Sequence, residues 1–290
     1  SACQVAGATS KAKGPLAMRS IAQFAFDPRI SDFKSRLVEA LKAGAYYCTT
    51  CKRCTESCDK TIDIRDWVRQ LRRSIYYDKF LYNKQPKPIA AAMDAIRQSR
   101  NLFNSDNSER VNNWTWMVED ELNVSALINR KAKVGYFVGC LTSFKPSLDF
   151  IAQNTVRILH RIGEDFTILG PYEFCCGFPS YLAGVDEDFV EHNINAICEL
   201  GIEKLLFTCP GCYRAFKVNY PERLGHTLPF QVQHLTEYFC EKIDGGLSFS
   251  HKVSMRLAYH DPCDLGRHSG IYEEPRRVLR EAGVEVVELA

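Results

Sequence analysis

The sequence contains no apolar run of the roughly 18–20 residues that a membrane-spanning helix requires. Charge of one sign is not in excess either, because 37 Lys and Arg residues face 35 Asp and Glu residues and leave a net charge of +2. This balance gives no electrostatic reason to expect a nucleic acid or an anionic lipid surface as a partner. We therefore expect a cytoplasmic chain that reaches a membrane only through partner subunits.

Several nucleotide-binding and hydrolase signatures are missing as well. There is no phosphate-binding loop, no G-x-G-x-x-G fingerprint and no Ser-His-Asp arrangement, so neither a flavin nor a nicotinamide site is expected on this chain. Residues 1–13 lack the apolar stretch of a secretory signal peptide. Because the sequence starts with Ser1 rather than methionine, we expect a chain that is cut or processed at that end.

Cysteine, by contrast, is plentiful. The 290 residues include 13 cysteines, about 4.5%, which is fewer than the share of more than about 8% typical of small disulfide scaffolds. Hydrophobic residues make up 46% of the chain, enough for an ordinary core. Most of the cysteines stand in close groups, and in a chain with a normal core such groups indicate metal or redox chemistry rather than disulfides.

Three zones follow one another along the chain. Residues 1–85 have apolar residues at helical spacing, for example Val68, Leu71 and Ile75, and are predicted to be helical. Residues 86–130 are polar and contain two prolines near their start, which predicts a connector with one short helix. In the rest of the chain strand and helix patterns alternate, which predicts an α/β sheet with parallel or mixed strands.

An internal repeat divides the last zone. Two segments share the order strand, cysteine, helix and strand, with Gly before the cysteine in the first and Pro in the second. Cys140 and Cys263 occupy the same place in the two segments, and such self-similarity is typical of duplicated domains. The predicted divisions are a helical domain, a connector, a first cysteine-rich domain and the start of a second, over residues 1–85, 86–130, 131–250 and 251–290.

The densest cysteine group has the spacing C-x2-C-x2-C-x3-C and comprises Cys48, Cys51, Cys54 and Cys58. A short loop can direct the first three thiolates to one four-iron cubane cluster, whereas the fourth lies one helical turn further on and serves a neighbouring cluster. Zinc sites use two C-x-x-C pairs separated by a spacer, so zinc is the less favoured alternative. This spacing leaves the first cluster in need of a fourth ligand from elsewhere in the chain.

Cys3 can supply that ligand. Ser1-Ala2-Cys3 is followed by Gly14-Pro15-Leu16-Ala17, by an amphipathic helix and, about 45 residues after Cys3, by the group that begins at Cys48. This layout resembles the α-helical ferredoxin domain of succinate dehydrogenase and fumarate reductase iron–sulfur subunits, and it is similar to the C-type subunit of heterodisulfide reductase. Succinate dehydrogenases proper replace the middle cysteine of the group and hold a three-iron cluster, so the presence of Cys51 implies four irons.

A second set of cysteines resembles another family. Cys140 is followed after 34 residues by Cys175-Cys176-Gly177, and after a further 32 by Cys209-Pro210-Gly211-Cys212. This resembles the CCG domain of the B-type subunits of heterodisulfide reductase and thiol:fumarate reductase, and of glycolate- and lactate-oxidase iron–sulfur subunits. The segment around Cys263 is similar to the opening of a second such domain. In that family five cysteines hold a noncubane four-iron cluster at which a disulfide is reduced. The resemblance implies as ligands Cys140, Cys175, Cys176, Cys209 and Cys212, with Cys263 as the first ligand of a second site.

The residues themselves favour a polynuclear cluster over a single ion. Adjacent side chains diverge, so Cys175 and Cys176 do not easily bind one tetrahedral zinc, whereas different irons of one cluster can accept both. We expect Gly177 to permit a close backbone approach, and Pro210 and Gly211 to shape a tight loop before a helix. Zinc and a site without metal remain alternatives. Cysteines within helical patterns are predicted to be small core residues, namely Cys198 and Cys240.

Together these features predict an α+β multidomain protein, with an α-helical ferredoxin-like domain followed by tandem CCG domains, the second incomplete. Its expected function is an iron–sulfur electron-transfer subunit of the fumarate reductase or heterodisulfide reductase type, with thiol/disulfide chemistry at the CCG cluster. The expected partner is a flavoprotein or another redox subunit, without which the chain is expected to be inactive. The alternatives are a glycolate- or lactate-oxidase subunit and a zinc-stabilised module with no redox role. Because Cys58 and Cys263 point to ligands outside the sequence, we expect a fragment of a longer subunit.

Overall fold

A computed structural model of the chain describes residues 3–186 and 189–288. Predictions that concern Ser1, Ala2 and Leu289 fall outside these residues. Among the helices of the described ranges, none is both long enough and apolar enough to cross a bilayer.

Helices and short parallel strands make up the described chain. The helices are α1 (Gln4–Ala8), α2 (Pro15–Ala25), α3 (Phe33–Lys42), α4 (Arg53–Glu56), α5 (Ile64–Tyr77), α6 (Lys87–Ser99), α7 (Glu109–Thr115), α8 (Glu119–Leu122), α9 (Cys140–Phe144), α10 (Asp149–Arg161), α11 (Phe178–Ala183), α12 (Val190–Glu199), α13 (Pro210–Arg214), α14 (Tyr220–Leu224), α15 (Leu235–Asp244), α16 (Gly266–Ser269) and α17 (Glu273–Glu281). The strands are β1 (Val134–Phe137), β2 (Phe166–Ile168), β3 (Lys204–Phe207), β4 (Gln231–His234), β5 (Met255–Ala258) and β6 (Val284–Val287).

The first of two compact units includes residues 3–94 and 179–186. Its core is formed by the apolar faces of α2, α3 and α5, which pack against one another. In α5 the buried residues Val68, Leu71 and Ile75 recur every three or four positions, as a helix that packs on one side requires. The predicted helical character of this region is confirmed by these elements.

The stretch between the two cysteine regions contains more helix than the sequence predicts. Instead of one short helix it holds α6, α7 and α8, together with a 3-10 turn at Val124–Leu127. Val111 and Trp114 of α7 are buried in the core of the second unit. The prediction of a single helix is wrong because the prolines near residue 86 do not mark a loop. Pro86 precedes α6 and Pro88 lies in its first turn, where no backbone N–H needs an intrahelical acceptor.

The second compact unit includes residues 95–178 and 189–288 and is centred on a parallel four-stranded sheet with the order β2-β1-β3-β4. Alternate residues of each strand face opposite sides. Phe137 and Phe207 pack on one side with α12 and α13, whereas Tyr136 and Leu206 pack on the other with α7 and α10. Both faces are therefore covered, which explains why the two central strands, β1 and β3, are mostly apolar.

A second, smaller parallel pair is formed by β5 and β6, in the register Met255↔Val284. The helix α17 connects these strands, just as α10 connects β1 and β2. The strand-helix-strand repeat that the sequence indicates is therefore present in the structure. In each copy the repeated cysteine follows the first strand, because Cys140 comes shortly after β1 and Cys263 shortly after β5.

The two cysteines outside the groups differ from each other. Cys240 is buried and its Sγ lies 3.6 Å from the carbonyl oxygen of Glu274. Cys198, on α12, is exposed, so the prediction of a core position is wrong for it. The buried face of α12 carries Ile197, and one further step along a helix turns a side chain by about 100° away from that face.

Candidate cluster sites

Four cysteines of the first unit line a single cavity of about 50 Å³. They come from two separate segments, the start of the chain and the loop before α5. These are the four residues that the sequence predicts as ligands of one cluster: Cys3, Cys48, Cys51 and Cys54. Their role as ligands stays a prediction, but the structure brings these residues to one cavity.

A close backbone approach holds these two segments together. The backbone N–H of Lys13 donates to the carbonyl oxygen of Ala43 at 3.0 Å. Gly44 has a φ of +88°, and a Cβ at this position would lie 2.5 Å from the carbonyl oxygen of Lys11. No other residue type fits that contact without a shift of the backbone. Gly44 thus allows the segment that carries Cys3 to reach the cavity.

The loop of the cysteine group turns through left-handed residues. Thr50 and Lys52 have φ values of +55° and +67°, and the backbone N–H of Thr50 donates to the Sγ of Cys48 at 3.4 Å. Burial raises the pKa of the Cys48 thiol and of the Cys54 thiol. Both side chains therefore favour the neutral thiol unless positive charge lies beside them.

Cys58 is not among the residues that line this cavity. Hydrogen bonds from the backbone N–H groups of Ile62 and Lys60 lower the pKa of its thiol. Cys58 lies outside the cavity that the other three cysteines of the motif line. A role as ligand to a neighbouring cluster remains a prediction for Cys58.

The second group of cysteines is assembled by the order of the strands. Because β2, β1 and β3 are adjacent and parallel, their carboxyl ends meet at one edge of the sheet. Cys140 follows β1, the pair Cys175-Cys176 follows β2, and Cys209 follows β3. Parallel sheets commonly bind ligands beyond this edge. Residues far apart in the sequence are thereby gathered at one place.

The five thiols form a continuous hydrogen-bonded chain in the order Cys140, Cys175, Cys176, Cys212 and Cys209. Four of them are buried and Cys209 is partly buried. Hydrogen bonds from its two neighbours lower the pKa of Cys176 to about 6, and a hydrogen bond from Cys212 lowers the pKa of Cys209 to about 7. These two side chains are therefore the favoured positions for negative charge in the group.

The glycine after the paired cysteines serves a purpose other than the predicted one. A Cβ on Gly177 would have no atom within 4 Å, so the predicted close backbone approach is wrong. The φ of Gly177 is +74°, in the left-handed region that favours glycine. The predicted helix is present, but the predicted tight loop before it is wrong, because Pro210 and Gly211 lie in the first turn of α13.

A buried ion pair supports the first cysteine of this group. Arg110 and Glu173 are 1% and 0% exposed, and their side chains approach to 2.8 Å. Glu173 also accepts the backbone N–H groups of Val138 and Gly139, each at 2.8 Å. Burial raises the pKa of Glu173 to about 7, and these three partners oppose the rise. A nitrogen of the Arg110 guanidinium lies 3.6 Å from the Sγ of Cys140, so Glu173 fixes both the arginine and the turn that leads into Cys140.

Two further residues position the paired cysteines, and neither was predicted from the sequence. The backbone N–H of Cys175 donates to the carbonyl oxygen of Arg100 at 2.7 Å. Asn193 is fully buried, and its amide donates to the carbonyl oxygen of Cys175 at 3.2 Å and to the hydroxyl of Tyr220 at 3.1 Å. A buried asparagine on an otherwise apolar helix face is the signal that could have identified this support.

Cys263 lies in the second copy of the repeat, after β5. The next residue, Asp264, pairs with Arg214 at 2.7 Å, and Arg214 follows Cys212 by two positions on α13. The second copy of the repeat therefore contacts α13, the helix that carries Cys212. Whether Cys263 is a ligand of a second site stays a prediction.

The donor sets of both groups suit iron–sulfur clusters. Thiolates are the ligands that hold such clusters, and each group offers at least four sulfur atoms at one place. In residues 3–186 and 189–288 no three Cys, His, Asp or Glu side chains are arranged to hold a single metal ion. The two groups therefore fit a cluster in the kind of donor atom that they offer and in the full or partial burial of those residues.

A comparison with known families supports this assignment. A family model described as a cysteine-rich domain, CCG, matches residues 134–217 and 257–290. The chain carries the CCG domain. The two matched ranges overlap the two copies of the repeat, which agrees with a CCG domain in tandem. No solved structure matches the chain significantly.

Curated relatives of the chain are named as reductase or quinone oxidoreductase proteins. The chain is 33% identical over 264 residues to the D-type subunit of dihydromethanophenazine:CoB--CoM heterodisulfide reductase of Methanosarcina mazei, covering 87% of this chain and 60% of that protein. It is 30% identical over 294 residues to the B-type subunit of fumarate reductase (CoM/CoB) of Methanothermobacter marburgensis, covering 100% and 55%. It is 29% identical over 252 residues to EtfAB:quinone oxidoreductase of Syntrophomonas wolfei, covering 83% and 34%. The chain thus spans 60% or less of the length of these relatives.

Proposed function

We propose that this CCG protein is an iron–sulfur electron-transfer subunit of an oxidoreductase complex. In this proposal one cubane cluster is held by Cys3, Cys48, Cys51 and Cys54. A noncubane cluster is held by the five cysteines at the edge of the parallel sheet. Bound clusters would supply one-electron storage, and the CCG site would supply the place of thiol/disulfide chemistry.

The observation that carries the proposal is the convergence of five cysteines from three separate segments into one hydrogen-bonded chain. A hydrophobic core does not require five cysteines in contact, because a small apolar residue could fill the space of each one. Five sulfurs also exceed the four ligands of a structural zinc ion. The relatives of the chain are named as reductase or quinone oxidoreductase proteins, which agrees with a redox role.

The chain's own residues contribute position, enclosure and charge at this site. Glu173 holds the turn before Cys140, and Asn193 holds the backbone of Cys175. Buried aromatic side chains, among them Phe137 and Phe216, cover the sheet face next to Cys212 and Cys176. Water is thereby kept from part of the thiol chain, which protects a reactive sulfur–iron group from hydrolysis and oxidation.

The substrate class follows from the same reasoning. We propose that a disulfide of two small thiols, or the two thiols that its two-electron, two-proton reduction yields, reacts at the CCG site, with electrons exchanged through the first cluster site. A flavoprotein or another redox subunit would complete the complex. The heterodisulfide reductase type is favoured over the glycolate- or lactate-oxidase type, because a heterodisulfide reductase protein is among the relatives at 33% identity.

Anaerobic purification with iron, sulfide and zinc analysis tests the proposal. We expect about four irons and four sulfides for each occupied cluster site, and an electron paramagnetic resonance signal after reduction with dithionite. Cys48→Ser should lower the iron content at the first site alone, and Cys176→Ser at the second alone. Cys198→Ser is the matched control, because Cys198 is exposed and outside both groups. A colourless protein with stoichiometric zinc and no sulfide would refute the proposal and favour the interaction module.

A further inference from the structure

One arginine of the first unit is buried without a carboxylate. Arg72, on α5, is 5% exposed. Its guanidinium donates to the carbonyl oxygen of Ala45 at 2.7 and 3.0 Å, to that of Leu182 at 2.7 Å, and also to that of Cys48. These acceptors are dipoles rather than charges. In the part of the chain that the structure describes, no Asp or Glu pairs with Arg72.

A buried cation in this state needs a counter-charge. Guanidinium remains protonated under all ordinary conditions, and taking an unpaired charge out of water is unfavourable. Burial lowers the pKa of Arg72, which expresses the same cost. Tyr46 lies with its ring 5.4 Å from the guanidinium carbon, but burial raises the pKa of its hydroxyl to about 12, so it supplies no charge.

Neighbouring arginines on the same helix have ordinary surroundings. Arg65 pairs with Asp63, and Arg73 pairs with Asp186 at a half-exposed position. Arg69 stacks over the ring of Tyr181, 4.5 Å from its centroid. Only Arg72 among these four combines burial with the lack of a carboxylate among the described residues, and it is the one bonded to the backbone of Cys48.

The group that could supply a negative charge next to Arg72 is the thiol of Cys48. Cys48 lines the cavity together with the other three cysteines of the first site, and its thiol is the neighbouring group that becomes negative when a metal binds. A cluster with four thiolate ligands carries net negative charge, which a guanidinium next to its first ligand would offset.

We propose that Arg72 is a positioning residue of the first cluster site, whose buried charge compensates a cluster held by Cys3, Cys48, Cys51 and Cys54 and raises its reduction potential. This inference rests on the proposed function. The carbonyl contacts fix the guanidinium at the start of the cysteine loop. A fixed positive charge stabilises the state that has gained one electron, which makes reduction easier. At the second site the corresponding effect is weaker, because the charge of the buried Arg110 is already paired with Glu173.

The test is an anaerobic redox titration of the whole chain with dithionite as the reductant, monitored by electron paramagnetic resonance. At a fixed solution potential, Arg72→Gln should lower the ratio of reduced to oxidised first cluster about tenfold, a shift of about 59 mV for a one-electron couple. Arg72→Lys, which retains the charge, should change that ratio less than about threefold. Arg73→Gln on the same helix is the matched control and should leave the ratio unchanged.

Several results would overturn the inference. An Arg72→Gln protein with full iron content and an unchanged ratio would show that the charge does not act on the cluster. If Arg72→Gln does not fold by circular dichroism, Arg72→Lys decides alone, and a tenfold fall despite the retained charge would exclude charge as the cause. An equal shift in the signal of the second site would also contradict the inference, because it is specific to the first. A wild-type protein without iron and sulfide would instead refute the proposed function.

Discussion

The two cysteine regions differ in how the charge of a buried arginine is compensated. Each has a buried arginine beside the first cysteine of its group, Arg72 beside Cys48 and Arg110 beside Cys140. Arg110 has a buried carboxylate partner, whereas the contacts of Arg72 are with backbone carbonyls. The charge of Arg110 is therefore paired with a carboxylate of the protein, whereas Arg72 has no such partner among the described residues. The two regions thus differ in whether the buried arginine beside the cysteines has a carboxylate partner.

The largest expected effect comes from removing that carboxylate. Glu173→Gln would leave Arg110 buried without a counter-charge, as Arg72 is. We expect the free energy of unfolding of the iron-free chain to fall by about 3–5 kcal/mol, measured by urea denaturation at a pH above the Glu173 pKa of about 7. In the iron-loaded chain the loss should be smaller, because a bound cluster would supply negative charge.

Glu203→Gln is the control for this change, because Glu203 forms an ion pair with Lys133 in which both side chains are mostly exposed. Its replacement should have no measurable effect. If the wild-type and Glu173→Gln chains were equally stable, the carboxylate of Glu173 would not be needed to compensate the charge of Arg110, and this would contradict the proposed difference between Arg110 and Arg72.

All seven histidines lie in the second unit, and one of them, His234, should make the stability of that unit depend on pH. Burial lowers the pKa of His234, at the end of β4, from 6.5 to about 4. Between these values the unfolded chain binds a proton that the folded chain does not. The contribution of His234 to stability is therefore complete above pH 6.5 and is lost as the pH falls towards 4, by about 3 kcal/mol in total at about 1.4 kcal/mol per pH unit.

Unfolding measured from pH 7 to pH 4 checks this prediction. His234→Asn keeps a side chain that can cap α15 but does not titrate, so it should remove this part of the pH dependence. A pH profile identical to wild type would assign the acid sensitivity to other groups.

A smaller effect is expected from the glycine that brings the first site together. Gly44→Ala places a Cβ against the carbonyl oxygen of Lys11 in a left-handed conformation. We expect a loss of about 1–3 kcal/mol in stability and reduced iron binding at the first site, with the second site intact. Iron analysis combined with thermal unfolding measures both.

Gly7→Ala is the natural comparison for this variant, because Gly7 lies in α1 and a Cβ there would have no atom within 4 Å. That change should be neutral or slightly stabilising. If Gly44→Ala bound iron as wild type does, the close approach of the two segments would not matter for the site.

The sequence predicted much of this arrangement because part of it is local. The spacing of Cys48, Cys51 and Cys54 fits a single loop, so their convergence needs no long-range contact. Strand and helix patterns identified β1 to β3 and the repeated segment, because buried parallel strands are recognisable apolar runs. The failures have physical causes as well: a proline in the first turn of α6 resembles a loop signal, and helical periodicity alone does not show that Cys198 lies on the exposed side of α12.

Spacing alone could not have shown which groups support the cysteines. Arg72 and Arg110 are ordinary basic residues in the sequence, and only burial distinguishes them from exposed neighbours such as Arg73. Glu173 stands two residues before Cys175, yet its contacts are with Arg110 and with the backbone before Cys140. These contacts join residues more than 30 positions apart, which no local pattern encodes.

By itself, the sequence determined which residues are available for the chemistry: cysteines in local groups, within a segment that is repeated and matches the CCG domain. The tertiary structure decided which cysteines share a site. The strand order β2-β1-β3 brings the carboxyl ends of three segments to one edge, and Gly44 allows Cys3 to reach the loop of Cys48. The charge at each site was likewise decided by tertiary contacts, because the pairing of a buried arginine depends on which distant carboxylate packs against it.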